Sequence, residues 1–113
     1  MKRKKCNTGV INIWIAGDIA TIERNLREYC FDVGFCVTVT PTKYIYSGGQ
    51  EDGVVVGIRN YPRFPKEQEV LMNQAISIGE ELIKTASQWS CMIEGIEETV
   101  WLSRRPDDKG ENG

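Results

Sequence analysis

Histidine is absent from the 113-residue sequence. That excludes Ser–His and Cys–His nucleophile pairs, an imidazole general base and histidine metal ligands. Chemistry, if any, falls to carboxylates, thiols, lysines or tyrosines. The four cysteines, Cys6, Cys30, Cys36 and Cys91, contain no C-x-x-C pair, so neither a zinc knuckle nor a thioredoxin motif is supported. No apolar run approaches the roughly 20 residues of a membrane span. A signal-peptide core is missing after Met1–Asn7 as well, and the reading is a reduced, cytoplasmic chain with free thiols.

Charge of one sign is in short supply in the body of the chain. There are 14 basic and 16 acidic residues, net −2. Setting aside Lys2, Arg3, Lys4 and Lys5 leaves ten cations against the same 16 acids. The body is acidic, opposite to what long nucleic acid selects, and no such partner is expected. The basic start reads as a disordered leader over residues 1–8. A polar tail is expected over 106–113, leaving a single domain over 9–105.

Within the domain the hydrophobic period alternates between two and 3.6. Val10–Ala16 is rich in β-branched residues and predicts a strand. Asp18 predicts an N-cap, followed by Ile19, Ile22, Leu26 and Cys30 at helical spacing, with Gly34 as the stop. Phe35–Thr40 alternates as a strand that Pro41 confines to an edge or bends. Extended Lys43–Ser47, a turn-rich loop over 48–53 and the apolar strand Val54–Asn60 follow. Two prolines stiffen Tyr61–Pro65. A long helix is predicted over Lys66–Gln88, with Leu71, Ala75, Ile78, Leu82 and Trp89 on its apolar stripe. Ser90–Glu94 and Thr99–Ser103 predict a hairpin around Gly95. The sum is an α+β sandwich, β-α-β-β-α-β-β, with an antiparallel-rich sheet and two helices on one face. Ferredoxin-like is the nearest model.

Few motifs carry chemistry. Ala16-Gly17-Asp18 lacks the glycine fingerprints of nucleotide loops, and Asp18 would repel an anion. The acid pairs Glu80-Glu81, Glu97-Glu98 and Asp107-Asp108 read as solvated charge. The richer cluster is Arg59, Asn60, Tyr61, Arg63 and Phe64. Guanidinium forks suit phosphate oxygens, and aromatic planes suit a nucleobase. The alternative is that Tyr61 and Phe64 staple helix to sheet while the arginines pair with surface acids. Thr40, Tyr44, Tyr46, Gly48 and Gly49 add hydroxyls, phenols and close backbone approach, unless they simply fill strand positions. Trp101 could close such a pocket, or belong to the core or an interface. The set is stocked to bind something flat and anionic and poorly stocked to react with it.

The runs Cys36–Thr42, Tyr44–Gly49, Gly53–Gly57 and Asn60–Pro65 resemble a group of small phage-encoded proteins, the first Thoeris anti-defence family. The resemblance implies a non-enzymatic protein of an infected bacterial cell's cytoplasm. It would sequester a cyclic ADP-ribose isomer made by a TIR enzyme, or a cyclic oligonucleotide, without degrading it. It also implies a homo-oligomer built from dimers, with no cofactor and no metal. Arg59 and Arg63 would grip the pyrophosphate, Tyr61 or Phe64 would stack on adenine, and Asn60 and Thr40 would bond ribose or base edges. The alternative is a phage inhibitor or adaptor that uses the same cluster as a protein–protein hot spot. A small phosphodiesterase is a third, weaker reading.

Overall fold

The computed structural model describes residues 1–108. Residues 109–113, most of the expected tail, lie outside the described residues. The elements are β1 (Val10–Ala16), α1 (Ile19–Val33), β2 (Thr38–Tyr46), β3 (Gly49–Arg59), α2 (Gln68–Thr85), β4 (Ser90–Glu94) and β5 (Thr99–Ser103). The five strands form one sheet in the order β2-β3-β1-β4-β5, with every pairing antiparallel. The first four have the split β-α-β arrangement expected, and β5 extends it as an added edge.

Side-chain alternation decides which face is covered. On β1, Ile11, Ile13 and Ile15 are buried, while Asn12 and Trp14 point to the other side. Val54, Val56 and Ile58 of β3 and Cys91 and Ile93 of β4 join the same buried face. Ile22 and Leu26 of α1 and Leu71, Ala75, Ile78 and Leu82 of α2 close over it. Each fully buried aliphatic contributes about 1.5–3 kcal/mol against the entropy of ordering the chain.

Asp18 caps α1 as expected, accepting from the Thr21 backbone N–H at 2.9 Å and the Thr21 hydroxyl at 2.7 Å. Gly34 ends the helix with φ 75°, in the left-handed region, and its N–H reaches the Cys30 carbonyl at 2.8 Å.

Three boundaries differ from expectation. The strand expected at Phe35 begins at Thr38, because Phe35 turns inward to pack at the margin of the core. The loop expected over 48–53 contracts to a turn at Ser47-Gly48, and Gly49–Asp52 continue β3. Those four residues pair only with β2, beyond the end of β1, so no core demands apolar side chains there. The second helix spans Gln68–Thr85 and excludes Trp89, which lies exposed beneath the Arg104 guanidinium at 5.2 Å. Pro41 falls in β2, an edge strand as expected, where a missing N–H costs one ladder bond at most.

Candidate functional site

Asn60 lies between the end of β3 and the Pro-containing connector. Its backbone N–H donates to the Gly9 carbonyl at 2.8 Å, and its side-chain N–H donates to the Asn7 carbonyl at 2.8 Å. Its side-chain oxygen accepts from the Lys66 N–H at 2.8 Å. The thiol of Cys6 points at the Asn60 carbonyl at 3.8 Å. One residue thus ties the Cys6–Gly9 run, the end of β3 and the entry to α2 together.

Around this knot lie three hollows that share lining residues, together called the groove. The first is a hollow of about 170 Å³ lined by Gly34, Phe35, Cys36, Arg59, Asn60, Tyr61, Phe64, Lys66 and Leu71. Tyr61 and Phe64 are tilted against each other at 5.5 Å, and the Lys66 ammonium sits 5.0 Å from the centre of the Phe35 ring. The Tyr61 hydroxyl and the Cys36 sulfur are 3.6 Å apart. That contact, with partial burial and the Cys36 charge, raises the Tyr61 pKa, against the lowering effect of Arg59.

The second part, about 330 Å³, shares Asn60 and Lys66 with the first and adds Thr8, Gly9, Glu67 and Gln68. The third, about 730 Å³, shares Thr8 and Gln68 with the second and is lined by Glu69, Met72, Ile76, Ile96, Glu97 and Glu98. The shared walls make the three parts neighbours along the amino end of α2. The groove is graded, with aromatic rings and cations at one end and three carboxylates among aliphatic walls at the other. Inside its wall the Gln68 side-chain oxygen is buried without a partner. The amino end of α2 borders the middle part, and its N-cap, Glu67, supplies no side-chain bond. Among the described residues no three His, Cys, Asp or Glu side chains are grouped to hold a metal ion.

Of the residues expected in the site, Arg59, Asn60, Tyr61 and Phe64 come together in the first hollow. Arg63 is exposed and lines none of the three parts. Thr40, Tyr44, Tyr46, Gly48 and Gly49 are elsewhere. Tyr46 pairs with Gly49 at the far end of β3, ten residues from Arg59, about 33 Å at strand rise. A Cβ added at Gly53 would meet the Tyr44 ring at 2.6 Å, so that phenol lies across the sheet over a glycine. Burial raises its pKa, with Glu51 adding to the shift. Trp101 shares a cross-strand row with Thr40, through Met92, Trp14 and Val55, but at the opposite edge. Four strand spacings, about 19 Å, separate them. Phe35, Cys36, Lys66, Glu69 and the Glu97-Glu98 pair were not singled out as site residues. The only signal for the last was a charge pair that reads as solvated.

No family model matches the chain, and no curated protein matches it. Two solved structures share its fold. One is a phage S-adenosylmethionine (SAM) lyase in complex with S-methyl-5'-thioadenosine, at 15% identity and TM-score 0.73, covering 96% of this chain and 98% of that one. The other is a phage SAM lyase in the apo state, with the same identity and coverage and a TM-score of 0.74. The chain therefore shares its fold with a phage protein whose structure holds a small adenosine derivative. The expectation of a non-enzymatic protein is corrected: the solved structures that share this fold are lyases, which are enzymes.

Proposed function

We propose that this chain is an enzyme that cleaves S-adenosylmethionine and releases S-methyl-5'-thioadenosine. The observation that carries the reading is the graded groove, set on a fold matched end to end by phage SAM lyase. The substrate is graded in the same sense. It has a flat adenine at one end, a sulfonium in the middle and an amino acid at the other.

Tyr61, Phe64 and Phe35 suit the adenine face, where stacking contributes about 1–3 kcal/mol per base. Glu69, Glu97 and Glu98 suit the ammonium group at the far end. Lys66 and the free N–H groups at the start of α2 suit the substrate carboxylate in the middle. Cleavage needs no protein base. The substrate's own carboxylate oxygen attacks the carbon γ to it, and the C–S bond breaks with its electron pair passing to sulfur. Neutral methylthioadenosine leaves, and the remaining fragment closes as a five-membered lactone. No proton moves. The protein's share is to fold the chain into attack geometry and to surround a reaction that neutralises charge with apolar walls, here Met72, Ile76 and Ile96. Imidazole has no role in that step.

The test is incubation of the folded protein with S-adenosylmethionine, with products resolved by chromatography and mass. Methylthioadenosine and the lactone, or its hydrolysis product, in equal amounts are expected. Unchanged substrate over hours would overturn the reading.

A second ligand is favoured by Arg59 and Lys66 beside the same aromatic rings. It is the cyclic ADP-ribose isomer implied by the Thoeris anti-defence resemblance, which offers a pyrophosphate to those cations. Titration with that ligand separates the two. The expected homo-oligomer has support in the uncovered sheet face, where Trp14, Val55, Met92 and Trp101 form an apolar row. Light scattering of the purified protein tests it.

A further inference from the structure

Cys30 lies in the last turn of α1, and Cys36 lies two residues beyond the Gly34 cap. The turn between them is tight. The N–H groups of Gly34 and Phe35 both donate to the Cys30 carbonyl, at 2.8 and 3.2 Å. Both thiols also line one shallow depression, with Glu23, Leu26, Arg27, Phe35, Val37 and Val39. Phe35 and Cys36 belong equally to the aromatic hollow of the groove, and there Cys36 contacts the Tyr61 hydroxyl.

We propose that Cys30 and Cys36 form an exchangeable dithiol, a modification site at the mouth of the aromatic hollow that a low-molecular-weight disulfide closes into an intramolecular bond. Cys36 is exposed and attacks first. Its thiolate displaces one glutathione thiolate from glutathione disulfide, which leaves a mixed disulfide on Cys36. Cys30, half-buried, then attacks the Cys36 sulfur and displaces the second glutathione thiolate. One S–S bond breaks and one forms. The two protein thiols lose two electrons and two protons, and the two glutathione thiolates take them up. Cys30 is the less accessible of the two, which leaves it the second, resolving attack. Closure draws the Cys36 sulfur from the Tyr61 hydroxyl and so reshapes the adenine end of the groove. Cys91 is unsuited to compete: it is buried, and its pKa is pushed up to about 11 by desolvation and by Glu80.

The test treats the full chain with glutathione disulfide and follows intact mass and disulfide-mapped peptides. The expected product has lost two hydrogens and links Cys30 to Cys36. Cys30→Ser is expected to stop at a single glutathione adduct on Cys36, and Cys36→Ser is expected to form no Cys30-linked disulfide. A persistent Cys36 adduct in the unsubstituted chain, or a bond that maps to Cys6 or Cys91, would overturn the proposal. A second readout is the ring-carbon NMR signal of Tyr61, assigned with Tyr61→Phe. It is expected to shift on oxidation and return on reduction. A disulfide that leaves it unmoved would overturn the link to the groove. Neither measurement uses a ligand, so failure here is distinct from failure of the lyase reading.

Discussion

The side-chain amide of Asn60 donates to the carbonyl of Asn7 at 2.8 Å, across 53 residues of sequence. The other atom of that amide accepts from Lys66, so both ends of the carboxamide hold backbone. Asn60→Ala removes both bonds, each a net contribution of about 0.5–1.5 kcal/mol. The expected result is a lower Tm and weakened binding of methylthioadenosine, seen by thermal melting and calorimetry. Asn60→Asp keeps the acceptor for Lys66 and loses the donor to Asn7. It is expected to fall between the two, whereas a ligand-contacting amide would leave the Tm unmoved in both variants.

Tyr61 and Phe64 form the tilted pair at the aromatic end. Phe64→Ala and Tyr61→Ala are each expected to weaken methylthioadenosine binding about 5- to 100-fold, the equivalent of one base stack. Tyr61→Phe keeps the ring and loses the contact with Cys36. Its affinity is expected to remain near that of the parent chain. A tenfold loss in Tyr61→Phe alone would assign the binding to the hydroxyl and not to the plane.

The carboxylate end separates two ligands that differ in charge. Methylthioadenosine carries neither sulfonium nor ammonium. Neutralising Glu69, Glu97 and Glu98 to glutamine, singly, is expected to weaken S-adenosylmethionine by several-fold or more while methylthioadenosine changes little. The paired titrations are informative either way. Equal losses for both ligands would place these acids in the support of the groove and not in contact with substrate charge.

Asp18 gives a stability effect with a defined sign. Its bonds from the Thr21 hydroxyl and N–H hold the carboxyl below its ordinary value of 3.8, with Arg24 assisting. A depressed folded-state pKa contributes stability above the unfolded value and loses it as pH falls through the folded one. Asp18→Ala is therefore expected to melt a few degrees below the parent at pH 7. The gap between them should narrow as pH drops below about 3.8.

In the core, Ile13 is fully buried at the centre of β1, between β3 and β4. Ile13→Ala is expected to cost about 2–5 kcal/mol, read from urea unfolding, with an unchanged m-value if the denatured state is unaffected.

Much of this architecture was legible in the chain because its period is clean. The triplet Ile11, Ile13 and Ile15 and the stripe Ile22–Leu26 can face one core in only one way. The cap at Asp18 and the stop at Gly34 were readable from single residues, since each satisfies helix-end groups with its own chemistry. The site was legible only by half. Arg59–Phe64 form a contiguous run, and such a run stays together however the chain folds. Glu69 and Glu97-Glu98 meet only because β4 and the turn after it return beside α2, and a carboxylate's sequence neighbours do not announce that. Tyr44 and Tyr46 lie away from the groove for the converse reason. Composition gives residue type but not distance along a hairpin, and β3 proved longer than its apolar half.

The groove draws its walls from residues 6–9, 34–36, 59–76 and 96–98, so no local piece of the chain can form it. A ligand seated there would recognise only the completed tertiary assembly and bind no folding intermediate that lacks the first nine residues or the last hairpin. Occupancy should register as global thermal protection, about 2.7 kcal/mol at a hundredfold excess over Kd, spread evenly over hydrogen exchange in both helices and the central strands. A bound nucleoside would act in this protein as a keystone.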